Sequence, residues 1–447
     1  MEGYNGIFWG MIGVLVFGYL LDLVLDMLNL RHTVPELPPE LEGIYDGEEY
    51  RKSQLYKRDN TRFSFVTGTL SLLVIGAIFF LGGFGWLDRW ISGYISNYIL
   101  FVLAFFGILA LAGDVLTTPF ALYGTFVIEE RYGFNRTTAK TFVLDKLKGW
   151  LLGLLIGGGL LALVTWIYML TGPWFWLVVL GVMVVYSVFM NMFYSNLIVP
   201  LFNKQTPLEP GSLREKIETF AGEIRFRLKN IYIMDGSKRT SKANAYFTGL
   251  GPKKRIVLFD TLINDLSEEE VVSVLAHEVG HYKKKHTVSN MVLSVLQTAL
   301  TLYLFSLFVG EDSFAVALGG TEASFHLGII AFGVLYSPIS MLLGLGFNFI
   351  SRRHEYQADR YAREHHDRDK LISSLKILSK NNLSNLTPHP AYVFFHYSHP
   401  TLLQRIRALN YASAFPAACG GVSERNKNKQ SIDDSSRLAA RRIKPET

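Results

Sequence analysis

His277-Glu278-Val279-Gly280-His281 is a group of residues able to hold and use a metal ion. Residues four apart on a helix share a face, so His277 and His281 can point at one ion. Glu278, one position after the first histidine, can reach a water that the ion activates. Zinc lowers the pKa of such a water toward ~7, and Glu278 would take its proton. This is the H-E-x-x-H pattern of zinc peptidases. Taken alone, an amphipathic helix with two exposed histidines gives the same spacing.

A second group, Glu355-Tyr356-Gln357-Ala358-Asp359, supplies what the first lacks. Zinc peptidases use a third protein ligand and leave one position open for water, and Glu355 fits that place. Asp359 lies one helical turn beyond Glu355. It can accept a hydrogen bond from the distal nitrogen of a ligand histidine and so fix its tautomer.

The elements around these residues read as a small α/β unit. Residues 213–228 pattern as an amphipathic helix, and 231–235 and 255–260 as strands with a short strand, 243–247, between them. Ser267-Glu268-Glu269-Glu270 is a capping box that starts the helix carrying His277. Asn244, Ala245 and their neighbours would then lie on an exposed sheet edge near the metal. That edge is either a place where an extended peptide pairs with the backbone or an ordinary short strand.

Composition places this unit in a membrane protein. The chain of 447 residues is 49% hydrophobic and 18% charged, with mean hydropathy +0.23, too apolar for an ordinary soluble enzyme. Seven runs can span a bilayer: residues 6–30, 64–86, 98–121, 150–170, 175–197, 288–308 and 325–350. The third is the least clean, since it holds Asp114 and Pro119. The first is too long for a cleaved signal peptide and lacks a basic leading region. Lys and Arg alternate between loops: six in 31–63, one in 87–97, five in 122–148, none in 171–174, many in 201–287, none in 310–325. The expected topology has the N-terminus outside and the C-terminus in the cytosol. The net charge of +6 is mostly this bias. No nucleic-acid motif is present, and a single cysteine, Cys419, excludes an internal disulfide framework.

His281 precedes the sixth run by about six residues and Glu355 follows the seventh by about five. If the helices continue, His281 and Glu355 both sit roughly 7–9 Å beyond the hydrocarbon on the same side. The metal site is therefore expected at the cytosolic membrane face.

The chain resembles the type I CAAX prenyl protease family of membrane zinc metalloproteases. The resemblance rests on both metal-site groups within 277–281 and 351–359, and on Thr118-Pro119-Phe120-Ala121-Leu122-Tyr123. It extends to Phe126-Val127-Ile128-Glu129-Glu130 with Tyr132-Gly133-Phe134-Asn135, and to Ile198-Val199-Pro200-Leu201-Phe202-Asn203-Lys204. His399-Pro400-Thr401-Leu402-Leu403-Gln404-Arg405 completes it, over roughly residues 5–412. It implies a mainly α fold: seven long tilted transmembrane helices enclosing a water-filled chamber, capped by a small α/β zinc metalloprotease domain on the cytosolic face. Asp114, Asn191, Asn196 and Asn348 would face that chamber or bond to neighbouring helices. The resemblance also implies that His399 donates to the developing oxyanion, and that Arg405 orients site carboxylates or the substrate backbone. It gives no role to His286 or His396.

The expected organisation is a transmembrane domain over 1–203, a metallopeptidase domain over 204–415 that includes spans six and seven, and a disordered tail over 416–447. The tail ends in Lys444-Pro445-Glu446-Thr447, which is no CAAX signal. The function implied is a zinc endopeptidase, with one Zn²⁺ per chain, cutting near the C-terminus of a peptide or protein substrate, prenylated or not. Glu278 and His399 would do the chemistry, assisted by Arg405. The partners are that substrate and the lipid bilayer, without nucleic acid, and the chain acts as a monomer. Location would be the inner membrane in a bacterium, or the endoplasmic reticulum and inner nuclear membrane in a eukaryote. The alternatives are a membrane quality-control protease and a non-catalytic chaperone or transporter. Glu278 speaks against the last, because a binding protein needs no general base.

Overall fold

The computed structural model describes residues 5–32, 37–226, 231–248 and 255–411. The 416–447 tail and Cys419 lie outside the described residues. Met1–Leu409 forms one compact unit; of the second, Asn410–Thr447, only Asn410 and Tyr411 are described. Among the described residues, seven helices are long and apolar enough to cross a membrane. In order they are Gly6–Arg31, Gly47–Phe80, Tyr98–Tyr132, Ala139–Thr171, Phe175–Phe202, His286–Phe308 and Phe325–His365.

Hydropathy finds these helices but not their ends. The second span begins at Gly47, well before its apolar part, because Asp46 and Glu49 form a reciprocal capping box. It stops at Phe80, and Trp86 belongs to a separate helix, Gly83–Ser92. The reversal uses Gly82 at φ +62°, a left-handed conformation that glycine adopts without steric cost. The third span passes through Pro119 and then makes a wider π turn at Gly124–Glu129, and its Asp114 pairs with Lys146 of the fourth span at 2.7 Å. Asn348 donates to the Phe395 carbonyl and Asn191 to Ser187 of its own helix. Asp114 and Asn348 thus find partners on other helices, whereas Asn191 is exposed and bonds within its own.

The spans touch in a circuit: second, first, seventh, sixth, fifth, fourth, third, and back to the second through Gly83–Ser92. Only 6–22% of the apolar stretch of each span is buried, so most of the apolar surface of the spans is left uncovered by protein. One end of the ring is closed by an aromatic cluster that includes Phe8, Phe84, Phe105, Phe175, Phe305 and Phe325. Several ring pairs there meet edge-on, as Phe175 and Phe305 do at 5.7 Å, an arrangement the ring quadrupoles favour.

Contacts sort the loops onto two ends. Arg131–Asp59, Lys242–Glu129, Arg239–Asp145, Lys380–Glu49 and Arg407–Glu40 tie the basic segments together. At the aromatic end, Arg89 donates to the Gly319 carbonyl, Asn5 to that of Ser313, and His326 pairs with Asp88. This is the grouping that the Lys and Arg counts predicted.

The basic end carries a four-stranded sheet of β1 (Gln205–Pro207), β2 (Ile231–Met234), β3 (Ala245–Thr248) and β4 (Arg255–Phe259). Their order is β1-β2-β4-β3, with β2 and β4 parallel and both outer pairs antiparallel. Ile256, Val257 and Leu258 of β4 are fully buried, as a central strand requires. The helix expected over 213–228 runs Ser212–Glu223 and ends before Arg225, which takes φ +50°. Its Ile217 and Phe220 join Leu258, Leu262, Leu275 and Val279 in one core. That core fixes the sheet against the helix Glu268–Lys283, here termed the motif helix.

Candidate metal centre

The motif helix starts where the capping box predicts. Glu270 accepts from the backbone and hydroxyl of Ser267, both at 2.8 Å, and from Ser373 at 2.6 Å. Glu270 thus anchors the motif helix to the helix Arg368–Asn381. Burial alone would raise its carboxyl pKa, but these donors hold it below the usual range. Farther along, Gly280 lies against the seventh span. A Cβ there would stand 3.0 Å from both Cα and O of Ala358 and 3.1 Å from the Tyr361 Cβ. The missing side chain lets the two helices approach until His277 and His281 face Glu355.

Ligand atoms of His277, His281 and Glu355 all lie within 4.8 Å of one another. The two Nε2 atoms are 3.1 Å apart, and they stand 3.5 Å (His277) and 3.2 Å (His281) from the Glu355 oxygens. Tetrahedral coordination at zinc distances separates such ligands by roughly 3.3 Å. Glu355 Oε2 is buried and accepts no hydrogen bond from a described residue. A buried carboxylate oxygen without a donor is costly, and a cation at the centre of this triangle would satisfy it. The three residues therefore fit a metal ion.

Groups behind the triangle hold it in place. Asp359 Oδ1 lies 2.9 Å from His277 Nδ1, so His277 turns Nε2 inward. Arg405 grips Asp359 with two hydrogen bonds, 2.9 and 2.6 Å, and its Nη1 lies 3.6 Å from Glu355. One buried guanidinium thus serves both buried carboxylates, and their charges hold its pKa above the ordinary arginine value against the effect of burial. At His277, burial and Arg405 act to lower the pKa. The nearby carboxylates of Asp359 and Glu355 outweigh them and raise it to about 9.

A cavity of about 770 Å³ opens on this triangle. His277, Glu278, His281, Glu355, His399, Arg405, Asn244 and Ala245 all line it; Asp359 is buried behind them. Glu278 is half-buried and lines the same cavity as the triangle. His399 arrives on the loop between the helices Pro390–His396 and Leu402–Asn410. Its side chain is 63% exposed, with Nε2 3.4 Å from Glu355 Oε1. The strand expected over 243–247 is observed as β3, Ala245–Thr248, at the sheet edge; Ala243 and Asn244 lead into it, and both line the cavity with Ala245.

Sequence reasoning missed two neighbours. His286 places Nδ1 3.0 Å from His281 Nδ1 and Nε2 2.8 Å from Gln357 Oε1. The reason is a break in the helix expected to run from the motif into the sixth span. Lys285 takes φ +59°, and a new helix starts at His286. Five residues along an unbroken helix would point His286 away from His281; the break turns it back. His396 stays outside the site, 4.0 Å from Asp22.

Two family models match the chain: one described as CAAX prenyl protease N-terminal, five membrane helices, over residues 26–204, and Peptidase family M48 over residues 207–413. The chain is 35% identical over 409 residues to a CAAX prenyl protease 1 homolog of Arabidopsis thaliana, covering 89% of this chain and 96% of that protein. With the Homo sapiens CAAX prenyl protease 1 homolog it shares 34% identity over 448 residues, covering 89% and 94% respectively. The crystal structure of S. mikatae Ste24p superposes with a TM-score of 0.86 at 32% identity, over 92% of this chain and 100% of that one.

Proposed function

The chain belongs to the M48 peptidases with a CAAX prenyl protease N-terminal region and is an integral-membrane metalloendopeptidase; on that premise we propose that it uses zinc at His277, His281 and Glu355 to cut near the C-terminus of prenylated proteins. The observation that carries this reading is the convergence on one cavity of three ligand atoms, Glu278 and a sheet edge, β3, that pairs on one side only among the described residues.

Zinc, when bound, supplies a Lewis acid that polarises the peptide carbonyl and acidifies a water. The remaining roles belong to the chain. Glu278 takes the proton of the attacking water and returns it to the leaving amine. His399, exposed on its loop and facing the triangle, donates to the oxyanion as it forms. Asp359 orients His277, and Arg405 offsets the two buried carboxylates. The substrate pairs with β3 as an added strand, which positions its backbone while leaving side chains little constrained. One chain supplies every group, so a monomer suffices. The basic end that bears the site faces the cytosol, in keeping with the distribution of Lys and Arg.

The deciding experiment is cleavage by purified protein of paired CAAX peptides, one prenylated and one not, with Glu278→Gln as control. Preference for the prenylated peptide, abolished in the variant, is the expected result. Equal cleavage of both would favour a quality-control protease, and no cleavage of either would overturn the reading.

A further inference from the structure

An imidazole can hold a metal only through the nitrogen that lacks a proton, so something must decide where that proton sits. For His277 the arbiter is Asp359. For His281 the neighbour is another histidine, and the proton positions follow from the far end of the chain of contacts. Gln357 Oε1, an amide carbonyl, can only accept. The 2.8 Å contact therefore takes its proton from His286 Nε2. A neutral imidazole has one N–H, which leaves His286 Nδ1 as a lone pair. Its 3.0 Å contact is then made by a proton on His281 Nδ1. That leaves His281 Nε2 bare, 3.2 Å from Glu355 Oε1 and 3.1 Å from His277 Nε2, inside the ligand triangle. Reversing the Gln357 amide would reverse each step and put a proton on the nitrogen that must bind the metal.

The ring of His286 is itself held. It stacks on His354 with centroids 4.0 Å apart and planes 12° from parallel, and His286 is 3% exposed. Lys285, in its left-handed conformation, sets the start of the helix that presents it.

We propose that His286 and Gln357 are positioning residues that fix the metal-binding tautomer of His281 through a one-directional hydrogen-bond chain, Gln357 Oε1 ← His286 ← His281. The proposal rests on His281 being a ligand, and its test separates the two.

The test measures zinc affinity of the full-length, detergent-solubilised protein by competition with a coloured chelator. His286→Phe keeps the ring and removes the acceptor. It should weaken zinc binding roughly 10–100-fold, the usual effect of losing the partner of a ligand histidine. Gln357→Leu removes the terminal acceptor and should weaken binding in the same direction. Gln357→Glu offers only acceptors, preserves the direction of the chain and should bind zinc like the wild type. If His286→Phe fails to fold, the Glu and Leu variants at 357 still decide. Wild-type affinity in His286→Phe, or equal affinity in the Glu and Leu variants, would overturn the proposal. If His281→Ala also bound zinc like the wild type, the metal assignment itself would fall.

Discussion

Gly280 of the motif helix sits against Ala358 of the seventh span, so close that a Cβ would stand 3.0 Å from the Ala358 backbone. The contact sets the distance between the helix that bears His277 and His281 and the helix that bears Glu355. Backbone in a packed helix cannot yield as the tip of a flexible side chain can. Gly280→Ala should therefore push the helices apart, at about 1–3 kcal/mol of overpacking. The expected outcome is a lower metal content and a lower temperature of inactivation, and Gly280→Val should be worse. Metal analysis and thermal inactivation of the purified variants check this.

Glu278→Gln should keep the metal, because Glu278 lies beside the ligand triangle and not in it. The amide cannot accept a proton from water, so kcat should fall ~10²–10⁴-fold. Metal content measured alongside turnover separates this outcome from loss of the site. Near-normal turnover would remove Glu278 from the role of base.

Metal affinity should depend on pH with a definite sign. The pKa of His277 in the metal-free site is raised to about 9, so at neutral pH a metal must displace its proton. Apparent affinity should rise about tenfold per pH unit as pH climbs from 7 and flatten above about 9. Asp359→Asn removes the carboxylate that helps raise this pKa, so the rise should end at lower pH and the affinity plateau should drop. Chelator competition across pH, on both proteins, reads the slope.

Much of the site was legible because its chemistry is written locally. His277 and His281 are four apart on one helix, Glu355 and Asp359 are four apart on another, and the capping box at Ser267 marks where the first helix begins. What was not legible depends on contacts between distant segments or on a single backbone angle. Nothing in the spacing of His281 and His286 reveals that Lys285 breaks the helix between them. The close approach at Gly280 depends on Ala358, far away in sequence. The second span starts at Gly47 because a capping box extends it through polar residues, where hydropathy has no signal.

Topology is testable at two exposed positions on a Cys419-free background. Cysteines at Lys238 and Ser313 should label from opposite sides of the membrane, because basic loops gather at one end and Ser313 lies at the other. Gly236, the neighbouring alternative, is a poor probe: a Cβ there would meet the Phe259 ring at 2.4 Å. Labelling of both positions from one side would refute the seven-span reading.

The register of β3 shows which residue a substrate strand would meet. Phe259 donates to the Asn244 carbonyl at 3.0 Å, and Ala245 pairs with Leu258 next to it. Hydrogen-bonded and non-hydrogen-bonded pairs alternate in an antiparallel ladder. Asn244 thus turns its backbone carbonyl toward β4, while Ala245 turns its backbone outward, along the edge that no described strand covers. Of the two edge residues expected from the sequence, Asn244 and Ala245, the register makes Ala245 the probe of an added strand. In the free protein the Ala245 N–H is held by the side chain of Asn244 at 2.8 Å, a contact that an incoming substrate carbonyl would replace. Ala245→Pro removes that donor and should raise KM roughly tenfold, the worth of one such hydrogen bond, with metal content unchanged. Asn244→Pro should have the smaller effect. His399→Ala should instead lower kcat, by roughly 10²–10³-fold for a lost oxyanion donor. Unchanged KM in a folded, metal-loaded Ala245→Pro protein would rule out strand addition along β3.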